Sequence, residues 1–430
     1  MAKTEPTTSG PMVDSDGRRI VGIDMARALA LFGMMATHLL PDSVDGRTVA
    51  WWQQLAGGRA AALFALLAGV SLALVTRRLA EPTTAAAADG PADDPADSPG
   101  DTAGGTLPDR PSRSTALRAA RAGTVVRALV IGVLGLLLGD LDTGIAVILA
   151  YYAVLFLLGL PFLGLGWRTL ALLAAGWAVV APVLSHLLRQ HLFDRVGASP
   201  SLDFLLLQPF RLVSELLFTG YYPAVPWLAY LLAGLAVGRL PLHRARVAAA
   251  LVVTGGVTAL AAWSTSWLLV HHWGGLQVLR ATAPETSPFD FMSVDQALVR
   301  GTFGTTPTTS WWWLTTSAPH SGTPFDLFQT IGSSLLVLGL CLLACRLAPR
   351  VLGLAFAAGT MTLTLYSLHL VALHLELGPP RDTVNLYGWH VAAAVVFAVA
   401  WRATLGRGPL ERFTRTCSQT ARNTVLLLSR

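Results

Sequence analysis

The apolar residues of this chain are grouped into blocks of about 20, the length that an α-helix needs to cross the hydrocarbon core of a bilayer. Short polar stretches rich in arginine separate the blocks. Since backbone inside lipid must satisfy its own hydrogen bonds, each block is predicted to be a helix. The predicted spans are residues 20–40, 59–75, 123–139, 143–163, 169–188, 222–240, 247–270, 326–347, 351–375 and 390–405. The predicted fold class is all-α, a polytopic transmembrane helix bundle of about ten helices.

Arginine density alternates between successive loops, and this alternation sets the predicted orientation. One set of loops is rich in arginine, whereas the opposite set holds only a scattering, such as Arg47, Arg280 and Arg381. Loops rich in Lys and Arg stay on the cytoplasmic side. Both termini are therefore predicted to be cytoplasmic, in a multi-pass protein of the inner or plasma membrane.

Polar inserts divide the membrane part of the chain. Residues 1–17 and 81–116 hold almost no large apolar side chains, so they are predicted to be a disordered N-terminal tail and a disordered cytoplasmic linker. The first two transmembrane helices then occupy 18–80, and the rest of the bundle 117–407. Residues 271–325 form a long outer loop whose three consecutive tryptophans fit either an interfacial belt or a lid. Residues 408–430 are predicted to be a cytoplasmic amphipathic tail.

Composition agrees with a membrane protein and narrows the partners. Only 13% of the residues are charged, against roughly 25% in a soluble domain. The formal net charge of +6 comes from arginines at the ends of the apolar blocks, where they act as topology signals and contact lipid headgroups. We therefore expect the lipid bilayer as a partner and no nucleic acid. No metal spacing is present, and no tightly bound cofactor is expected; an oligomer stays open.

The first span carries a stripe of ionisable side chains. At 100° per residue, Asp24, Arg27 and His38 fall within a stripe about 60° wide. Arg27 and His38 are separated by about 16 Å along the helix axis. Ionisable groups inside a span are costly and usually face the bundle interior or water. The stripe predicts a functional site; the alternative is a structural ion pair of Asp24 with Arg27 plus a histidine at the headgroup level.

Other polar and aromatic side chains near the span ends are candidates for substrate binding. Arg59 is placed to reach His38 or a substrate, or to extend to headgroups. Arg127 lies inside the third span, where a phosphate contact and extension towards the cytoplasm are the two alternatives. Glu215 precedes the sixth span and is a candidate for lining an outer cavity.

Three further candidates lie on the sixth and ninth spans. Tyr222 and Trp227 fit either a sugar-stacking surface or anchors at the membrane interface. His369 is a second candidate for the chemistry. His374 is five residues further on, and the two histidines therefore point to different faces, which argues against a metal site.

Several segments, in their order along the chain, resemble one membrane-protein family. They are the run from Arg19 to His38, the run from Gly58 to Ser71, the block from Tyr221 through Pro226 and Trp227, and the run from Gly359 through Tyr366 to His369. Together they resemble the family that includes heparan-alpha-glucosaminide N-acetyltransferase and the bacterial YeiB-like proteins. The Arg-x10-His spacing of Arg27 and His38 also resembles the acyltransferase-3 family.

The resemblance implies transfer of an acyl group, in the first place acetyl, from acyl-CoA as co-substrate to a carbohydrate or other cell-envelope acceptor. His38 would be the base or acyl carrier, supported by Asp24 and Arg27. The lysosomal enzyme of this family is thought to use a histidine in the loop after its first helix, whereas residues 39–57 here contain none. His38 is the nearest substitute. The alternative function is a multi-pass transporter or permease of a small metabolite, although no internal repeat supports it.

Overall fold

The computed structural model describes residues 20–41, 49–80, 112–193, 195, 199–284, 292–380 and 384–429, without the side chains of 77–80. Throughout these ranges the regular elements are helices. The first part of the chain forms α1 (Val21–Leu39), α2 (Trp51–Ala56), α3 (Arg59–Ala80), α4 (Arg113–Gly139), α5 (Leu149–Gly159), α6 (Trp167–Leu188), α7 (Leu202–Leu207), α8 (Pro209–Ser214) and α9 (Ala224–Gly238).

The second part continues the same bundle and ends in a helix that packs back onto it. It forms α10 (Ala245–Trp267), α11 (Gly275–Ala281), α12 (Val294–Arg300), α13 (Pro324–Leu347), α14 (Pro349–Ala355), α15 (Thr362–His374), α16 (Val384–Thr404) and α17 (Pro409–Leu428). The main core is one apolar cluster with residues from α1, α3, α4, α5, α6, α9, α10, α13, α15 and α16.

Six of the described helices are long and apolar enough to cross a membrane. The number is seven if Pro209–Thr219 and Ala224–Gly238, which are bent by 52°, form one broken span. The predicted fold class is thereby confirmed: the chain is an all-α polytopic membrane protein. Each predicted span overlaps a helix, but some of these helices are short or polar. The count of ten and the position of the termini stay predictions.

Small residues let the central helices approach closely. A side chain at Gly234 of α9 would lie 2.0 Å from the Leu66 carbonyl oxygen of α3. A side chain at Gly359, in the 3₁₀ turn before α15, would lie 1.7 Å from the Asp24 carbonyl oxygen of α1. Backbone contact of this kind is the usual way in which helices associate in membranes. It holds α9 against α3, and α1 against the turn before α15.

The ninth predicted span is a broken helix. The prediction gave one helix over 351–375, whereas α14 ends at Ala355, a 3₁₀ turn follows at Ala357–Thr360, and α15 begins at Thr362. The turn brings Gly359 against α1, which an unbroken helix with side chains at that point would not permit. The break therefore follows from packing rather than from local propensity.

Of the four predicted polar regions, the structure describes parts of three, and the N-terminal tail, 1–17, lies outside the described residues. Linker residues 81–111 also lie outside the described residues, and α4 begins at Arg113, ahead of the predicted linker end. The outer loop contains α11, α12 and a small core around Trp313, which is fully buried. Helix α17 packs on α4, where the Ser418 hydroxyl donates to the Gly123 carbonyl oxygen at 2.7 Å.

Candidate functional site

Three histidines from three helices form a line at the end of α1. His38 Nδ1 lies 3.2 Å from His369 Nε2 on α15, and the two rings stack with centroids 5.5 Å apart. His369 Nδ1 lies 3.1 Å from His390 Nδ1 on α16. His369 and His390 are buried, with 3% and 4% of their surfaces exposed. The predicted candidates His38 and His369 thus meet although they are 331 residues apart.

His38 also lines a pocket of about 180 Å³. Thr143, Gly144 and Ile145 form one wall, from the segment between α4 and α5. Leu373 and Leu386 form another, and each lies one helical turn from a histidine of the line. The same three helices therefore build both the pocket and the histidine line, and His38 belongs to both.

A second polar group lies near His38 and includes residues that sequence analysis did not select. Asp326, at the start of α13, is buried and accepts a hydrogen bond from the Gly322 N–H at 2.9 Å. Arg59 lies within electrostatic range of Asp326 and donates to the Gln54 carbonyl oxygen. His320, on the segment before α13, lies within electrostatic range of His38. Burial lowers the pKa of His320 to about 4, so its ring is neutral at pH 7.

Two of the predicted cations, Arg27 on α1 and Arg127 on α4, lie near the opposite end of α1. Arg27 donates to the Ser71 hydroxyl on α3, and Asp24 is buried beside the turn that contains Gly359. The Arg127 guanidinium lies over the Phe156 ring, 5.6 Å from its centroid, and within electrostatic range of Arg27. Among the described residues, Arg127 Nε has no hydrogen-bond partner. Two guanidinium groups held close together in a bundle favour an anion between them.

The remaining predicted candidates lie in an aromatic cluster. Glu215 is fully buried, and Tyr151 donates to its carboxylate at 3.4 Å. The Tyr222 ring contacts the Trp227 ring edge-on, with centroids 5.1 Å apart. His320 stacks on Trp227 at 6.4 Å. Tyr222 and Trp227 are 7% and 4% exposed, so their rings pack against protein, and none of the three predicted residues lines the described pocket.

The structure thus places seven of the nine predicted residues in three groups, while Asp24 lies against the turn at Gly359 and Arg59 lies near Asp326. His38 and His369 meet at the pocket, Arg27 and Arg127 come together at the other end of α1, and Glu215 shares a cluster with Tyr222 and Trp227. Sequence analysis missed His390, Asp326 and His320. A histidine or aspartate at the end of an apolar block was the available signal for the first two. His320 lies in a loop, where no periodic pattern marks a buried residue.

Comparison with known proteins identifies the family of this chain. The sequence model of the family described as "Heparan-alpha-glucosaminide N-acetyltransferase, catalytic" matches residues 19–272, more than half of the chain. That range includes α1, Arg59, Arg127, Glu215, Tyr222 and Trp227, whereas His320, Asp326, His369 and His390 lie beyond it. No curated protein and no solved structure matches this chain. The chain is a multi-pass membrane protein that belongs to the family of the heparan-alpha-glucosaminide N-acetyltransferase catalytic domain.

Proposed function

We propose that this protein transfers an acyl group, in the first place acetyl, from acyl-CoA to a carbohydrate or other cell-envelope acceptor. One observation carries the proposal: His38 lines the pocket while its Nδ1 faces His369 at 3.2 Å. That contact leaves Nε2, on the other side of the ring, for a reactant. Family membership supports acetyl transfer as the reaction type.

The chemistry at His38 takes one of two routes. As a base, Nε2 removes the proton of the acceptor hydroxyl or amine while the acceptor attacks the thioester carbonyl carbon. The carbon–sulfur bond then breaks, and the thiolate takes up the proton. As an acyl carrier, Nε2 forms a bond to the acyl carbon and the thiolate leaves. The acceptor then attacks that carbon, the bond to Nε2 breaks, and the acceptor's proton passes by way of Nε2 to the thiolate. Both routes use the same nitrogen, and both end in acylated acceptor and free CoA.

The arginine pair is proposed to bind the phosphates of CoA. Arginine stays charged and binds phosphate oxygens in a fork. Arg27 and Arg127 lie close enough to interact electrostatically, and α1 separates Arg27 from His38 by about 16 Å. An extended pantetheine arm would span such a distance. Asp24 is proposed to hold the Arg27 end of α1 in place rather than to touch the reacting atoms.

The second polar group and the aromatic cluster are proposed to shape the acceptor side. Arg59 and Asp326 lie in the same region as His320, which is near His38. Glu215, Tyr222 and Trp227 are buried behind His320. We therefore propose that they support the position of His320 and its loop, and that a sugar does not stack directly on Trp227.

Transport is the second candidate function, and one feature favours it. The break between Thr219 and Ala224, with its 52° bend, is the type of interrupted span that transporters use at their substrate sites. A transporter would move a solute across vesicles without any change in the thioester. This distinction makes the two functions separable in one preparation.

The test uses purified full-length protein reconstituted into liposomes. Acetyl-CoA labelled in the acetyl group is supplied with glucosamine as the trial acceptor, and free thiol release and labelled product are measured. The proposal predicts thiol release and product formation in step, both absent from protein-free liposomes. Accumulation of either solute inside the vesicles without thiol release would establish transport and overturn the proposal.

A further inference from the structure

The histidine line at the pocket has more nitrogens than a single base requires. His38, His369 and His390 are joined by two nitrogen–nitrogen contacts of 3.2 and 3.1 Å, and each contact requires one N–H and one lone pair. A buried imidazole without partners is costly, which explains why the rings bond to one another. It does not explain why three titratable rings stand in a row behind a pocket, where apolar side chains would pack as well.

The tautomers of the line have only two continuous arrangements. A neutral imidazole carries one N–H. In the first arrangement every N–H points away from the pocket: His38 donates from Nδ1, His369 donates from Nδ1, and His390 carries its proton on Nε2. In the second arrangement every N–H points towards the pocket. Both arrangements hold three protons. One converts into the other when a proton enters at one end of the line, the protons between the rings shift, and a proton leaves at the other end. The line therefore has the form of a proton path with two end states.

The far end of the line is also consistent with a path. Among the described residues, His390 Nε2 is buried and has no hydrogen-bond partner. On its own helix, the His390 ring meets the Trp389 ring edge-on, with centroids 5.2 Å apart. The three histidine rings stand in sequence rather than around one point, and no metal-binding group of His, Cys, Asp or Glu occurs in the described part of the chain. The arrangement therefore fits proton transfer better than metal binding.

We propose that His369 and His390 form a proton relay for His38, an inference that rests on the proposed acyl transfer. When the acceptor attacks the thioester, its O–H or N–H bond breaks and the proton forms a bond to His38 Nε2. The Nδ1 proton of His38 passes to His369 Nε2, and the Nδ1 proton of His369 passes to His390 Nδ1. The positive charge rests on His390, away from the reacting carbonyl. The relay then runs backwards and delivers one proton to the leaving thiolate, so every proton is accounted for.

The test separates proton transfer from positioning by replacing His390 with asparagine. The side-chain oxygen of the introduced asparagine is able to accept the hydrogen bond from His369 Nδ1 but does not take up its proton. For His390→Asn, the relay predicts that kcat falls by about tenfold, while KM for acetyl-CoA stays within about twofold of the native value. For His390→Leu, which removes the hydrogen bond as well, both constants are expected to change. His374→Asn, at the exposed histidine five residues after His369, is the matched control.

Kinetics in mixtures of light and heavy water provide the readout that a purely structural role would not move. The native protein is expected to show a curved dependence of kcat on deuterium content, because several protons move together, and His390→Asn a less curved one, because the transfer to residue 390 is lost. Native kcat and a dependence as curved as the native one in a folded His390→Asn would overturn the relay, with acyl transfer by His38 intact. A native protein that releases no thiol would overturn the proposed function and the relay with it.

A second measurement is independent of activity. In protein labelled with ¹⁵N-histidine, each N–H···N hydrogen bond between rings gives a nitrogen–nitrogen coupling in the NMR spectrum. The relay predicts two such couplings in the native protein, one in His390→Leu and none in His369→Leu. Absence of both couplings from the native protein would contradict the line itself, whatever the kinetic result.

Discussion

The two ends of α1 differ in the groups that their ionisable side chains bind. At the end where α1 begins, several arginines bind backbone carbonyl oxygens: Arg402 donates to Gly353 at 2.7 Å, and Arg121 to Leu160 at 3.2 Å. Such contacts satisfy the free carbonyl groups at helix ends. At the end where α1 stops, Arg59 also binds a carbonyl oxygen, but His38 and His369 bond to each other. The arginines that bind carbonyl oxygens serve the fold, whereas the Arg127 guanidinium lies over the Phe156 ring.

The difference indicates how to recognise function in a charged membrane bundle. An arginine that caps a helix has a structural role that any membrane protein needs. A cation inside the bundle that binds no carbonyl oxygen does not have this structural role. The same holds for a row of bonded imidazoles beside a pocket. By this criterion Arg127 and the three histidines are the residues that most need a functional explanation.

The packing of α1 against the turn before α15 supports both ends, and breaking it has the largest expected effect. Gly359→Ala places a methyl group 1.7 Å from the Asp24 carbonyl oxygen. Because backbone is unable to move as a side chain does, the cost is expected at about 3 kcal/mol or more. The measurement is thermal unfolding in detergent. Gly256→Ala, where no atom lies within 4 Å, is the control, and equal stability of the two variants would contradict the packing.

The free energy of unfolding of the protein is predicted to fall in acid, because His320 is buried as a neutral ring. Its folded pKa of about 4 lies below the value of 6.5 for an unfolded histidine. Below pH 6.5 the unfolded chain therefore binds a proton that the folded chain refuses until about pH 4. The contribution of His320 to the free energy of unfolding is complete above pH 6.5. It falls by up to about 3 kcal/mol between pH 6.5 and pH 4.

His320→Asn isolates this contribution, since asparagine tolerates the left-handed backbone that His320 adopts at φ 53°. The difference in unfolding free energy between native protein and variant, measured from pH 7.5 to 4, is expected to narrow as the pH falls. A difference that does not change with pH would contradict the neutral, buried state of His320.

Arg27 and Arg127 are predicted to contribute to the binding of acetyl-CoA. Arg127→Gln removes the cation beside Arg27, and the affinity for acetyl-CoA is expected to fall about tenfold, as for the loss of a charge-assisted phosphate contact. Acetyl-pantetheine, which lacks the nucleotide phosphates, is expected to lose no affinity. Titration calorimetry with both ligands checks this. Arg168→Gln, at an exposed arginine, is the control, and equal losses for both ligands would contradict a phosphate site.

The smallest expected effect has the opposite sign. Glu411 on α17 accepts hydrogen bonds from the Leu363 and Thr364 N–H groups at 2.8 and 3.1 Å, and it lies within electrostatic range of Arg127. Glu411→Gln removes a negative charge that competes with a bound anion, so acetyl-CoA is expected to bind about twofold more tightly. Titration at low ionic strength is the measurement. Weaker binding would contradict this prediction. It would indicate that the hydrogen bonds from Glu411 to the first turn of α15 affect acetyl-CoA binding more than its charge does.

The helices and the polar stripe of α1 were predictable because both depend on local sequence. Apolar blocks of membrane-spanning length have few other uses, and Asp24, Arg27 and His38 are conspicuous in one of them. The neighbours of His38 were not predictable. His369 comes from a helix 331 residues away, and the break at Ala357–Thr360 that sets the position of α15 depends on backbone contact with α1. Only tertiary packing determines such a contact.

The central claim is that His38 performs the reaction, and single-turnover acetyl transfer by His38→Ala tests it most directly. General acid–base or nucleophilic catalysis predicts a loss of about 100-fold or more in rate. Affinity for acetyl-CoA is expected to stay within about twofold of the native value, because the arginine pair lies about 16 Å away along α1. A His38→Ala protein that transfers acetyl at the native rate would contradict the account.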